Sequence, residues 1–306
     1  MVDIKEIIKI YSGWLEFDKI KIPAPMWAGI AVGASAGVAV LSFIISALLI
    51  REVTLLPVAF GIATLVMVLG YPYMVRESII GSIERNFSDA LKQMADTLKA
   101  GDTYESALRE VANSDYGRLS EEMGNALRRL EEGENLESAL NGFAQRVNSR
   151  LISRTITIIL DSIRTGASLS EILEEIADDV KDFQRIKEDR KANTTMQFLF
   201  MVAAGGIIAP LIFGEVSAVM GTFARISFQT LSESQIAAAQ QSSNFITLLI
   251  QSYLIIEVLG SGIMMSIIRE GKINKSVIYI PMLLLVAFVT YYASTFAVRA
   301  MLSGTM

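Results

Sequence analysis

Hydrophobic and polar residues separate along this chain into long blocks. Five apolar stretches run at about 26–50, 53–75, 196–220, 245–268 and 277–298. A helix needs about 20 residues to cross a hydrocarbon core, so each stretch is long enough to span. Runs this long and this poor in charge rarely pack inside a small soluble domain. Between the second and third lies a polar block, 76–195, with 17 Lys plus Arg, 23 Asp plus Glu and no proline. Its apolar positions recur at helical spacing and never alternate as in a strand. The pattern predicts an all-α polytopic membrane protein. It has an N-terminal segment (1–25), two membrane helices (26–75), a helical polar domain (76–195) and three more membrane helices (196–306).

The polar block breaks at Gly101, at 113–117, at Gly133, near Asn148 and at Gly166. Three breaks share a pattern: Leu98-Lys-Ala-Gly101-Asp-Thr-Tyr-Glu-Ser-Ala-Leu108, Leu130-Glu-Glu-Gly133-Glu-Asn-Leu-Glu-Ser-Ala-Leu140 and Ile163-Arg-Thr-Gly166-Ala-Ser-Leu-Ser-Glu-Ile-Leu173. The glycines stand 32 and 33 residues apart, an internal period. In each unit a helix ends on a glycine that accepts a left-handed backbone without steric strain. Two residues on, Thr103, Asn135 or Ser168 can cap the next helix by accepting a backbone N–H. Ser168 with Glu171 fits a full capping box; Thr103 and Asn135, each followed by Ser at the third position, do not.

These units read as three helical hairpins. The expected helices are 82–99, 103–112, 117–132, 135–147, 149–165 and 168–191. Short turns make neighbours antiparallel, giving a six-helix antiparallel bundle. An open array of TPR type has a similar period, but three hairpins without its tryptophan signature favour closure. Nothing breaks the pattern between Ser168 and Pro210, so the last helix is expected to run on into the third span as a rigid strut.

Charge sets the orientation. Lys5, Lys9, Lys19 and Lys21, the polar block, and Arg269, Lys272 and Lys275 hold 24 of the 27 basic residues. The alternate loops hold only Arg51, Arg225 and Arg299. By the positive-inside rule the N-terminus, the polar block and the 269–276 loop are cytoplasmic. The 51–52 turn, the polar 221–244 loop and the C-terminus then lie outside, and 221–244 is either a short external helix or a mobile loop. Residues 1–22 carry four Lys and four acids without an apolar core, unlike a cleavable signal. Ile4, Ile7, Ile8, Tyr11, Trp14 and Leu15 instead space as an amphipathic helix, on lipid at the inner face or on a partner.

Composition then removes whole classes of chemistry. The chain is 52% hydrophobic and 19% charged, with no histidine and no cysteine. That excludes a Ser-His-Asp triad, a Cys-His dyad, the usual zinc ligand sets, haem and iron–sulfur ligation. No Walker loop is present, since Gly271-Lys272 is followed by Ile273. No cofactor or metal is expected, and the chain reads as non-enzymatic. A net charge of −5 argues against a nucleic-acid partner.

Two features stand out inside the spans. Glu257 sits near the middle of the fourth, where a charge costs about 2.5–3.5 kcal/mol on insertion scales and must face protein or be neutral. Tyr253, Gly260, Ser261 and Met264 share its face, and Tyr253 and Ser261 are candidate hydrogen-bond donors to it. Gly29, Gly33 and Gly37 form a double GxxxG on the first span, which lets another helix backbone approach closely. That neighbour is either another span of the same chain or a helix of a second molecule.

The repeated turns within a hydrophobic chain resemble the type II secretion F family, over about residues 83–215. These are inner-membrane platform proteins of type II secretion systems and type IV pili. One bundle, with two spans before it and three after, is closest to the short Tad platforms and to archaeal pilus platforms. The 269–276 loop is too short for the second cytoplasmic domain of an archaellum platform. The resemblance implies a scaffold that binds a hexameric secretion ATPase in the cytoplasm and pilin subunits in the membrane, alone or paired with itself or a paralogue. On this reading Glu131 and Glu132, at a turn of the bundle, are candidate ATPase-facing residues. They are otherwise a solvated face, as are Glu134, Asp178, Asp179 and Asp182. Glu257 then either contacts a pilin helix or a second platform subunit, or makes a structural bond between spans. The competing functional class is an ion-coupled transporter or proton-driven stator, supported by Glu257 alone.

Overall fold

The structure, a computed structural model, describes residues 13, 23–47, 55–165, 168–227 and 233–304. The expected amphipathic helix of 1–22, the 51–52 turn and Gly166 lie outside the described residues, apart from Gly13. Among the described residues the regular structure is helical throughout. The helices are α1 (Ala24–Ile45), α2 (Leu56–Lys99), α3 (Tyr104–Asn113), α4 (Arg118–Glu131), α5 (Leu136–Val147) and α6 (Arg150–Arg164). They continue as α7 (Leu169–Asn193), α8 (Thr195–Met201), α9 (Ala209–Ser227), α10 (Glu233–Glu270) and α11 (Ser276–Gly304). A π-helical segment, Val202–Ile208, joins α8 to α9. Among the described residues, five helical stretches are long and apolar enough to cross a membrane: Ala24–Ile44, Pro57–Lys99, Thr195–Phe223, Gln235–Glu270 and Ile273–Leu302.

Three boundaries differ from the sequence reading. The second span and the first polar helix form one 44-residue helix, α2, with Pro72 inside it. The predicted strut from α7 into the third span is interrupted at Thr194, whose φ of −95° and ψ of 2° leave the helix. Thr194 and Thr195 both turn their hydroxyls onto the Lys191 carbonyl, at 3.3 and 2.8 Å. Two adjacent threonines thus compete with the helical ladder, a break without Gly or Pro to announce it. The 221–244 segment, read as a short external helix or a loop, instead has its described residues in extensions of the two flanking helices, α9 to Ser227 and α10 from Glu233.

The chain divides into two compact units, 1–72 with 191–306, and 73–190. In the first, a core of Ala59, Ala63, Val258, Met265, Leu283, Leu284, Ala287 and Phe288 joins α2, α10 and α11. The helices come close at glycine. A methyl group added at Gly214 would lie 2.5 Å from the Tyr291 carbonyl oxygen, so α9 and α11 are nearly backbone to backbone there. Hydrogen bonds reinforce the seam. Thr295 Oγ1 donates to the Gly214 carbonyl at 3.2 Å, and Tyr291 Oη donates to Ser217 Oγ at 3.0 Å. Trp27 of α1 stacks on Tyr71 and donates its indole N–H to the Val68 carbonyl at 3.0 Å.

The second unit is built from amphipathic helices whose buried stripes meet. Ile83, Phe87 and Leu91 of α2 are buried, as are Leu108, Leu119, Met123, Phe143, Ile152, Ile156 and Leu173 from the helices that follow. The Phe87 and Phe143 rings pack with centroids 6.0 Å apart. Ser88 donates to the Ala177 carbonyl at 2.7 Å, tying α2 to α7. Ion pairs Arg109–Glu131, Arg146–Glu122 and Lys187–Glu84 link helices around this core.

Candidate functional site

Two of the three repeated turns are described in full and share one construction. Gly101 and Gly133 have φ of +92° and +95°, a backbone that L side chains rarely adopt. The Gly101 N–H donates to the Leu98 carbonyl and the Asp102 N–H to the Thr97 carbonyl, at 3.0 and 3.3 Å. At the second turn Gly133 donates to Leu130 and Glu134 to Arg129, at 2.9 and 3.0 Å. This paired closure is the Schellman motif, which satisfies carbonyls the helix end leaves free. The next helix then starts on a side-chain cap. Thr103 Oγ1 accepts from the Ser106 N–H at 3.2 Å, and Asn135 Oδ1 from the Ser138 N–H at 2.7 Å. At the third, Thr165 ends α6 with φ −80° and ψ −2°, close to the −78° and −2° of Glu132 at the second. Ser168 Oγ there lies 3.0 Å from Ser170 Oγ.

The spans hold the second site. Ser261 of α10 meets Gly205 of the π-helical segment, where an added methyl would stand 3.0 Å from its hydroxyl. Two helical turns back along α10, the Tyr253 ring packs on Phe213 of α9 with centroids 5.2 Å apart. These contacts fix an antiparallel register. Four residues forward from Gly205 and four back from Ser261, Ala209 lies opposite Glu257. Glu257 is partly buried, and its Oε2 is buried without a hydrogen-bond partner among the described residues. Tyr253 and Ser261 flank it a turn away on either side, but neither donates to that oxygen.

Residues 90–214 match the family model of the type II secretion system (T2SS) protein F. This stretch is a type II secretion F domain, which supports the type II secretion F and pilus platform family for the protein. Its F domain begins in the second half of α2, takes in α3 to α8 and the π-helical segment, and ends at Gly214. No curated protein and no solved structure matches the chain. The match includes both fully described turns and the Gly205–Ala209 wall of the Glu257 seam; α10, which carries Glu257, lies beyond it. The F domain together with five apolar helices among the described residues supports a multi-pass inner-membrane protein of secretion or pilus machinery in general.

The remaining predicted residues fall in different places. Gly29, Gly33 and Gly37 are exposed, and an added methyl at each would meet nothing within 4 Å. Among the described residues, then, no other span packs on this stripe. The close contact of α1 with α2 is made elsewhere, by Ala39 against Gly61. Glu131 and Glu132 are exposed beside the Gly133 turn of the F domain, and Glu131 pairs with Arg109 at 2.7 Å.

Sequence reasoning missed the polar residues that join the spans. Gln251 is fully buried, accepts the Leu55 N–H at 2.7 Å and donates to Tyr292 Oη at 3.2 Å. Glu270 is held by Lys275 at 2.7 Å and Lys191 at 3.4 Å, while Arg269 lies 4.4 Å over the Phe198 ring. The signal available was a glutamine within an apolar run, since an amide in a bilayer needs partners.

Proposed function

We propose that the protein is the inner-membrane platform of a type IV pilus-like or type II secretion machine, of Tad or archaeal pilus type. It is a non-enzymatic scaffold. Residues 76–195 act as a six-helix antiparallel cytoplasmic bundle that engages a hexameric secretion ATPase. The spans receive pilin subunits, and turnover of the ATPase moves the platform so that pilins leave the bilayer for the filament. The N-terminus and the bundle face the cytoplasm and the C-terminus faces outside, as the basic residues distribute. The platform works with a second copy or a paralogue, embedded in membrane lipid.

One observation carries this reading: an F domain of capped helical turns inserted between apolar helices, in a chain without histidine or cysteine chemistry. Affinity capture of the tagged full chain from native membranes, with crosslinking and mass spectrometry, tests it. The expected result is a hexameric secretion ATPase linked to residues 76–195 and pilins linked to the spans. Recovery of neither from piliated cells overturns it.

A further inference from the structure

At one end of the spans the aromatic residues gather at a single level. Trp27 of α1 stacks on Tyr71 of α2, with ring centroids 5.9 Å apart. Next to Tyr71, a methyl group added at Gly70 would lie 2.5 Å from Val277 Cγ1, so α2 meets the start of α11 there. Two residues on, Tyr279 packs edge to face on Phe198 of α8, with centroids 5.8 Å apart. Tryptophan and tyrosine collect where hydrocarbon gives way to headgroups, so this belt sets the depth. The turn from α10 to α11 lies at its polar edge and holds Arg269, Lys272 and Lys275. One carboxylate there, Glu270, is 9% exposed and already taken, by Lys275 at 2.7 Å and Lys191 at 3.4 Å. Arg269 stands apart from that cluster. Its guanidinium lies 4.4 Å over the Phe198 ring, and among the described residues it has no ion pair and no hydrogen bond. Arg269 is partly exposed and Lys272 exposed.

We propose that the α10–α11 turn is a binding site for the headgroup of an anionic phospholipid, gripped by Arg269 and Lys272. A guanidinium offers parallel N–H donors that match two phosphate oxygens, and stacking on Phe198 holds its plane while leaving those donors open. Lys272, three residues on, adds a point charge. Lys191 and Lys275 outnumber the one carboxylate they share, so the surroundings stay positive. That charge selects an anionic headgroup over a zwitterionic one. The depth of the aromatic belt selects a lipid over a soluble anion. A bound headgroup pins the α10–α11 turn to the membrane surface. The site needs only the membrane setting and stands whether or not the chain engages an ATPase or pilins.

The test is native mass spectrometry of the full chain in detergent, titrated with phosphatidylglycerol or with phosphatidylcholine. The expected result is retention of phosphatidylglycerol at affinities about tenfold or more above phosphatidylcholine. A cation near a membrane surface is worth about fivefold in affinity. Lys272→Gln should therefore weaken phosphatidylglycerol binding about fivefold. Arg269→Gln should weaken it at least as much, and Arg269→Lys, which keeps the charge and loses the fork, should fall between. Lys181→Gln, which removes an exposed cation of the other unit, should leave it unchanged. Arg269→Gln also gives up the contact with Phe198, so its unfolding temperature without lipid is compared with wild type. Lys272→Gln alters an exposed side chain and keeps the test decisive if that temperature falls. Equal affinity for the two lipids overturns the proposal. Equal losses in Lys272→Gln and Lys181→Gln overturn it in favour of diffuse charge. Inorganic phosphate that displaces the lipid at equal concentration overturns it in favour of a soluble anion.

Discussion

The Glu122 carboxylate receives the Arg146 Nε–H at 2.8 Å, joining α4 to α5 with the acid side chain only 6% exposed. Asn125 approaches the same carboxylate oxygen at 3.5 Å. A buried ion pair adds little net stability over an apolar pair, yet losing one partner strands the other. Arg146→Met should therefore destabilise the α4–α5 hairpin by about 2–3 kcal/mol. Adding Glu122→Leu to it should recover more than half of that loss. Hydrogen exchange of the solubilised full chain, read on α4 and α5 peptides, measures both. Equal protection in wild type and Arg146→Met would refute a structural role for the pair.

The turns give a prediction free of packing effects. An added methyl at Gly101 or Gly133 meets nothing within 4 Å, so substitution there tests the backbone alone. Alanine at φ near +95° should cost about 1–2 kcal/mol at either site. Asparagine, which tolerates the left-handed region better, should cost less. The loss should appear as faster exchange in the helices flanking the altered turn. Alanine variants as protected as wild type would mean that the turn relaxes without strain.

These turns were legible because their chemistry is local: a glycine, then a capping side chain two residues later, repeated. The spans were legible by length of apolar run. What joins the spans was not. Ser217, Gln251 and Tyr291 look like isolated polar or aromatic interruptions, and their partners depend on which helices neighbour each other. The same ignorance left the α1 glycine stripe open between an inner and an outer neighbour. Helix ends set by side-chain hydroxyls were also hidden, since Thr194-Thr195 carries no Gly or Pro. Glu257 was visible as an expensive residue at depth, but its unpaired oxygen depends on where Tyr253 and Ser261 actually turn.

The two kinds of glycine in the membrane should respond oppositely to enlargement. At Gly214 any side chain collides with the Tyr291 backbone, and a carbonyl cannot step aside as a flexible side chain can. Gly214→Ala should destabilise the spans by about 1–3 kcal/mol, seen as a lower unfolding temperature in detergent. Leucine at Gly29, Gly33 or Gly37 enters open space in the protomer and should leave that temperature unchanged. A drop at α1 equal to that at Gly214 would restore the stripe to intramolecular packing.

Acid should loosen the α2–α3 hairpin through Glu110. Its carboxylate accepts from the Thr97 hydroxyl and, at 3.1 Å, from Gln93 Nε2. These bonds, Thr97 first, hold its pKa below the ordinary carboxylate value of 4.5. A carboxyl lowered on folding contributes stability that is fully present above its unfolded value and is lost as pH falls through the folded one. The window therefore lies below pH 4.5. Glu174, lowered chiefly by its bond from Lys99, acts in the same direction between α2 and α7. The group is exposed, so the effect is small and local. Protection of α3 amides should fall on acidification in wild type, and Glu110→Gln should start lower and flatten the profile. A profile as steep in Glu110→Gln as in wild type would assign the acid sensitivity to other carboxylates.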